Sequence, residues 1–234
     1  MFENIDLTLI GQGFFSVLEN LWRQLKLLGE GALVSLEIFA LTLIFSLPLG
    51  LLVALGRMSK NRLLSRIIKD YILVMRGTPL MLQIIFIYFT PAYLPEGLRF
   101  NLDRFVAAII AFSLNYAAYF AEIYRGGIES ISLGQYESAA VLGFTKSQTF
   151  FRIILPQVIK RILPAISNEV ITLVKDTALV TTIGISELFR AARNESSRIS
   201  STTPIFWAGF FYLVMNFFVT KVFELFEKKL SYYR

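Results

Sequence analysis

Leu33-Val34-Ser35-Leu36-Glu37-Ile38-Phe39-Ala40-Leu41-Thr42-Leu43-Ile44-Phe45-Ser46-Leu47-Pro48 is a near-continuous apolar run with one ionisable side chain in 16 positions. Widened to about residues 31–56, it reaches the length of about 20 apolar residues that a helix needs to cross a bilayer core of roughly 30 Å. Comparable runs cover about residues 70–93, 105–125, 163–186 and 204–223, the fourth being the least apolar. None alternates residue by residue, as the strands of a membrane barrel would. The expected fold is all-α, a polytopic membrane protein with about five transmembrane helices.

Composition narrows the function. The chain has 234 residues, 55% of them hydrophobic, and neither Cys nor His. Disulfides, thiol chemistry, haem ligation and His-based metal sites are excluded, so no metal is expected. A Ser-His-Asp triad and any His general base are excluded too. A formal net charge of +6 does not point to nucleic acid, because a membrane protein collects Lys and Arg in its cytoplasmic loops. Arg57, Lys60, Arg62, Arg66 and Lys69 follow the first run, Arg125, Lys146, Arg152, Lys160 and Arg161 surround the loop after the third, and Lys221, Lys228, Lys229 and Arg234 follow the fifth. The other loops hold fewer cations. The N-terminus is therefore expected outside and the C-terminus in the cytoplasm.

Residues 1–30 lack the basic start of a signal peptide, since Glu3 and Asp6 stand there. Phe14, Leu18, Leu21, Leu25 and Leu28 recur at helical spacing, with Ser16, Glu19, Asn20, Arg23 and Gln24 opposite. That pattern predicts an amphipathic helix lying at the membrane interface. There is no internal repeat, and five spans do not divide into two equal bundles. A pathway on a two-fold axis would require a second copy or a paralogue.

Between the third and fourth runs, residues 127–160 are polar and helix-compatible. They read as two short helices joined at Gly143, a residue suited to a C-terminal cap with positive φ. Gly134, Gln135, Tyr136 and Glu137 enter the first helix. Small Ala139 and Ala140 would let another surface approach, and Ser147 to Ile154 carry the second helix to a boundary at Pro156. Glu137, Ala139, Gly143, Ile153, Leu155 and Pro156 fall at the spacing EAA-x3-G-x9-I-x-LP, with Ser138 where the motif has its first Ala. This resembles the cytoplasmic coupling loop of bacterial ABC importer permeases of the type I fold. The resemblance implies that Gln135, Glu137, Ser138, Ala139, Gly143, Ile153, Leu155 and Pro156 transmit the movement of a nucleotide-binding subunit. The chain has no phosphate cradle of its own: Lys146-Ser147 is preceded by Thr145 rather than by a glycine-rich turn. It is expected to bind no cofactor and to be no enzyme, ATP and Mg²⁺ belonging to a partner.

Further stretches resemble the polar amino-acid branch of that family: Arg76-Gly77-Thr78-Pro79-Leu80 with Gln83, Asn115-Tyr116-Ala117-Ala118-Tyr119-Phe120-Ala121-Glu122-Ile123-Tyr124-Arg125-Gly126-Gly127-Ile128, Leu155-Pro156-Gln157, Leu163-Pro164, Asn168, Lys175-Asp176-Thr177 and Phe226-Glu227-Lys228-Lys229-Leu230. The likeness covers about residues 31–230. It implies a bacterial inner-membrane permease that pairs with a second permease subunit, carries two ABC ATPase subunits, and receives an amino acid from an extracytoplasmic binding protein.

Ionisable residues inside spans tend to face a bundle interior, a partner or a wet cavity. Glu37 is read as an interfacial carboxylate. Arg76 lies near a helix end, and Gly77 and Pro79 beside it predict a locally irregular helix. Lys175 and Asp176 are adjacent and cannot share a helix face, so each needs its own partner, as structural or gating charges. Asn115, Tyr119 and Glu122 share one face at i, i+4 and i+7. With Thr78 and Gln83 they are the candidate translocation residues, although Glu122 could instead pair with Arg125 or with a cation on another helix. The rival reading is an ion-coupled secondary carrier or channel using Glu122, Lys175 and Asp176. An intramembrane enzyme is disfavoured by the missing His and Cys.

Overall fold

The structure is a computed structural model that describes residues 7–230, with side chains from Leu18 onward. The expected polar–apolar pattern at Glu3, Asp6, Phe14 and Ser16, and the cation at Arg234, lie outside those residues and side chains. Nine α-helices are described. The first, α1 (Leu7–Arg57), is a single rod of 51 residues. The sequence divides an interfacial helix from the first span near residue 31, but the structure has no break there. Gly29 and Gly31 do not end the helix. At Gly31 a Cβ would stand 2.9 Å from the Leu188 Cα, so this glycine admits a neighbouring backbone.

The second run is broken. α2 (Arg62–Gly77) and α3 (Leu80–Phe89) meet at Thr78-Pro79, and the axis turns by 108° between Arg62–Gly77 and Leu80–Tyr93. Pro79 has no N–H, and the residue before a proline is pushed out of the helical region. Thr78 is extended accordingly, at φ −118° and ψ 147°. The expected irregularity at Gly77 and Pro79 is present, and it is larger than a kink.

The core is built on α4 (Arg104–Glu129). Ala107, Ala108, Ala111, Ala117, Ala118 and Ala121 are all buried along it. Small residues allow close helix contact, which is what holds helices together where lipid is as apolar as the side chains. α1 packs closely on that surface: a Cβ on Gly50 would meet Phe120 Cβ at 2.9 Å and the Ala117 carbonyl oxygen at 3.1 Å. Ile38, Ile84, Phe112, Phe120, Val170 and Leu173 fill the centre. α1 and α4 run in the same direction, and their C-terminal ends bring Arg57 and Glu122 to one cavity. The α1–α2 corner and the loop after α4 therefore emerge at the same end.

That loop forms α5 (Leu133–Val141) and α6 (Lys146–Thr149), followed by a π-turn over Phe150–Ile154 and then α7 (Leu155–Asp176). Pro156 does not bound the second helix, as the sequence predicts, but sits in the first turn of α7. The π-turn explains the difference. The Leu155 N–H donates to the Phe150 carbonyl five residues back, so the backbone widens just where a proline ring would otherwise meet the carbonyl of Arg152. Beyond α7 a 3₁₀ segment (Thr177–Ile183) ends at Gly184, with φ 87°. It leads to α8 (Leu188–Ile199) and α9 (Thr203–Leu230). α8 packs against α1 and α9 through Leu28, Ala32, Leu188, Ala192 and Ala208. Gln24, expected on the polar face of the N-terminal helix, is buried one turn before Leu28, while Leu18 and Trp22 are exposed.

Among the described residues α1, α4 and α9 are long and apolar enough to cross a membrane, and the bent α2–α3 pair makes a fourth. The expected five is therefore approximate. The run at 163–186 is the one that falls short: α7 is 22 residues long, but Lys160, Arg161, Glu169, Lys175 and Asp176 leave it too polar, and beyond Asp176 the chain continues as 3₁₀.

Candidate functional site

Two places gather the residues singled out from the sequence. The first is the hairpin of α5 and α6. Its turn is closed at Gly143, where φ is 78°. The Phe144 N–H donates to the Ala139 carbonyl and the Gly143 N–H to the Ala140 carbonyl, both at 3.0 Å. This is a Schellman cap, in which the left-handed residue lets the last carbonyls of α5 find donors. Thr145 then starts α6 with a capping box: its Oγ1 accepts from the Gln148 N–H, and Gln148 Oε1 accepts from the Thr145 N–H at 2.9 Å. The two caps fix the angle of the turn.

Glu137, Ser138, Ala140 and Gly143 are exposed, but Ala139 is buried at 1% exposure. Ala139 thus packs within the chain, and Ala140 is the small residue left open to an approaching surface. Gln135 Oε1 accepts from Gln157 Nε2 at 3.2 Å, which ties α5 to α7, and the Arg161 guanidinium donates to the Ser130 carbonyl. Ile153 and Leu155 are half-buried and Pro156 is exposed. Ile131, Ile154, Val158 and Ile162 form a small core beneath the hairpin. Its outer rim is apolar: Leu133, Val141 and Leu142 are each more than 70% exposed. A rigid, tightly capped hairpin with an uncovered apolar rim can seat in another protein and transmit force through α7.

The second place is the break between α2 and α3. Asn115 Nδ2 donates to the Met75 carbonyl at 2.8 Å and to Gln83 Oε1 at 2.9 Å. Gln83 Nε2 donates to the Met75 carbonyl at 3.0 Å and to Thr78 Oγ1 at 2.8 Å. Thr78 Oγ1 in turn donates to the Val74 carbonyl at 2.8 Å. The Met75 carbonyl, whose helical donor would be the N–H that Pro79 lacks, is thus answered by two side-chain amides. Asn115, Gln83 and Thr78, candidates for cargo contact, form one network around a backbone break.

Tyr119 and Glu122 sit on the same stripe of α4 but past the break. With Arg57, Lys69, Ile72, Leu73, Arg76 and Gly77 they line a cavity of about 420 Å³. The Arg76 guanidinium lies 5.1 Å above the Tyr119 ring, within cation–π range. Glu122 takes the partner on its own helix: Arg125 donates to both of its carboxylate oxygens, at 3.1 and 2.6 Å, and also reaches Glu129. Asp176 accepts from the Tyr116 hydroxyl at 2.8 Å, whereas Lys175 is exposed. The two adjacent charges have separate surroundings, as their spacing requires. Tyr116, the partner of Asp176, lies in a stretch of family resemblance but is not among the candidate site residues, because its place between Phe112 and Phe120 at four-residue spacing reads as core.

These features define a class. The family described as "Binding-protein-dependent transport system inner membrane component" matches residues 46–232. The chain belongs to that family and is a permease subunit of an ABC importer in an inner membrane. It is 39% identical, over 89% of its length and 94% of the relative's, to the "Arginine transport system permease protein ArtQ" of Bacillus subtilis (strain 168). It is 37% identical, over 88% of each chain, to the "L-cystine transport system permease protein TcyB" of the same organism. Among solved structures, "Crystal structure of an amino acid ABC transporter with histidines" is similar with a TM-score of 0.80 and 33% identity, covering 90% of this chain and 97% of that one. An inward-facing MetNI methionine ABC transporter shares the fold, with a TM-score of 0.66 at 16% identity.

Proposed function

We propose that the chain moves a polar amino acid across the bacterial inner membrane as one half of a two-permease pathway. Two ATPase subunits bind and hydrolyse ATP, and an extracytoplasmic binding protein delivers the cargo. The observation that carries the reading is the doubly capped hairpin at Gly143 with its exposed apolar rim, set in a family of importer subunits. The cargo class follows from the relatives, whose names give arginine, cystine and glutamine. The orientation follows from charge: the α1–α2 corner and the hairpin share the end rich in Lys and Arg, which belongs in the cytoplasm. The N-terminus then lies outside. Residues of α4 and the α2–α3 break flank the pathway, with the polar groups of Tyr119, Glu122 and Arg76 set among the apolar lining of one cavity. Neither the family nor the fold supports an ion-coupled carrier.

The test is uptake of a labelled amino-acid panel by proteoliposomes holding this chain with its ATPase and binding protein, with and without internal ATP. Uptake of a polar amino acid that requires both ATP and binding protein, and that Gly143→Arg abolishes, is expected. Uptake that ignores ATP but collapses with an ionophore would overturn the proposal.

A further inference from the structure

Five cations crowd the corner between α1 and α2, and four of them, all but Lys60, line one cavity. Arg57 closes α1, and Arg62, Arg66 and Lys69 follow at spacings of four and three, one face of α2. With Ser59, Leu63 and Ser65 they line a cavity of about 550 Å³. Like charges this close repel, yet none of the ion pairs among the described residues involves any of the four. Asp70, the acid of this helix, is exposed and pairs with none of them. One guanidinium is held in place: Arg57 Nη1 donates to Ser65 Oγ at 2.9 Å, and that hydroxyl donates to the Arg57 carbonyl at 2.7 Å. The N-terminal N–H groups of α2 are not the attraction, because the Asn61 side chain already accepts from Leu63 and Leu64. The charge comes from the side chains.

The face beside the cavity is apolar and open. Leu63 is 70%, Ile67 58% and Leu73 67% exposed. A solvated basic face would not carry large aliphatic side chains along its edge. A helix that sets cations next to exposed aliphatics matches the boundary between headgroups and acyl chains.

We propose that this cavity binds the phosphate of an anionic phospholipid headgroup of the phosphoglycerol class. The acyl chains run along Leu63 and Ile67. Arg62 and Arg66 supply planar forks that can grip two phosphate oxygens at once. Lys69 adds a point charge, and Arg57, braced by Ser65, closes the far wall. The lipid neutralises a cluster that the protein leaves unpaired and fixes α2 in the interface. Lys69 and Arg57 also line the neighbouring cavity of Tyr119 and Glu122, so the bound headgroup sits next to it. The proposal rests on the chain being membrane-embedded and does not depend on which cargo it moves.

The test is native mass spectrometry of the delipidated full-length chain in detergent. It is titrated with phosphatidylglycerol or with phosphatidylcholine of the same acyl chains, and in a third arm phosphatidylglycerol competes with inorganic phosphate. Phosphatidylglycerol should bind at least ten-fold tighter than phosphatidylcholine. Arg62→Gln/Arg66→Gln should lose that preference, Lys69→Gln should lose several-fold, and Arg62→Lys/Arg66→Lys should keep most of it. A control with two exposed cations neutralised elsewhere, Lys26→Gln/Arg193→Gln, should leave it intact. Equal binding of the two lipids, or a preference untouched by Arg62→Gln/Arg66→Gln and Lys69→Gln, overturns the proposal and leaves the cations to an acidic protein surface. Displacement of the lipid by inorganic phosphate at equal concentration overturns the lipid source in favour of a free-anion site.

Discussion

Asn115 on α4 and Gln83 on α3, 32 residues apart in sequence, are joined by a 2.9 Å hydrogen bond that spans the break in the second run. Asn115 also takes the Met75 carbonyl on the far side of that break. The pair binds both flanks of a 108° turn to one rigid helix. In a bilayer, backbone carbonyls released by a proline must be answered from within the protein. Asn115→Ala leaves Gln83 Oε1 without its donor and the part-buried Met75 carbonyl with one donor instead of two, a loss of about 1 kcal/mol. Thermal unfolding of the purified chain should show it. Asn115→Ala/Gln83→Ala should cost less than the sum of the single changes, because the two residues serve one network. Strict additivity would mean that they act separately.

Glu122 is the residue for which the sequence leaves two roles open. Its two-toothed contact with Arg125, which also holds Glu129, is a local ladder along α4. Glu122→Gln should lower stability by about 1 kcal/mol or less, since the pair is partly solvated and Arg125 keeps one acid. The apparent affinity for cargo should stay within two-fold. A ten-fold loss of affinity in an uptake assay at constant expression would instead place this carboxylate on the transported molecule.

Gly143 has open space where a Cβ would go but a backbone angle that a side chain resists. Gly143→Ala should therefore cost about 1–2 kcal/mol locally without disturbing the core. The strain falls on the turn of the hairpin. ATP hydrolysis by the assembled transporter should persist while uptake per ATP falls several-fold. Unchanged coupling would show that the turn angle does not matter.

α8 carries a pH-sensitive contact. Arg198 donates twice to Glu195, at 2.7 and 2.6 Å, and Arg23 of α1 reaches it at 3.5 Å. The hydrogen bonds from Arg198, and then its charge, hold the Glu195 carboxyl below its ordinary value of 4.5, against the opposing effect of burial. An acid whose pKa is lowered by folding contributes stability that is complete above 4.5 and fades as pH falls through the folded value. Melting temperatures of the wild type should drop in that acid range more steeply than those of Glu195→Gln. Parallel curves would remove Glu195 as a source of the acid sensitivity.

The sequence makes the membrane class legible because lipid demands long apolar runs, and it marks the α2–α3 break because Gly77 and Pro79 are local signals. Gly143 is legible for the same reason: a positive φ is a property of one residue. What cannot be read is set by distant packing. The role of Asn115 depends on Met75 and Gln83, which only the fold brings near. Gly31 reads as a boundary because the chain does not announce that Leu188 will press against it. The amphipathic α8, with Glu187 and Glu195 buried, is hidden among loop-like charges. The place of Pro156 depends on a π-turn that no composition signals.

The 51 residues of α1 would extend about 77 Å at about 1.5 Å per residue, over twice the thickness of a bilayer core. Two glycines on this rod, Gly31 against Leu188 and Gly50 against Phe120, are contact points where a side chain would not fit. They are 19 positions apart on an unbroken helix, so each residue added or removed between them would swing one contact about 100° relative to the other. Amino-acid substitutions can accumulate along that interval, but its length is locked. Relatives of this chain should differ in letters there and agree in count, and a one-residue deletion between Gly31 and Gly50 should be more damaging than any single replacement in the same stretch.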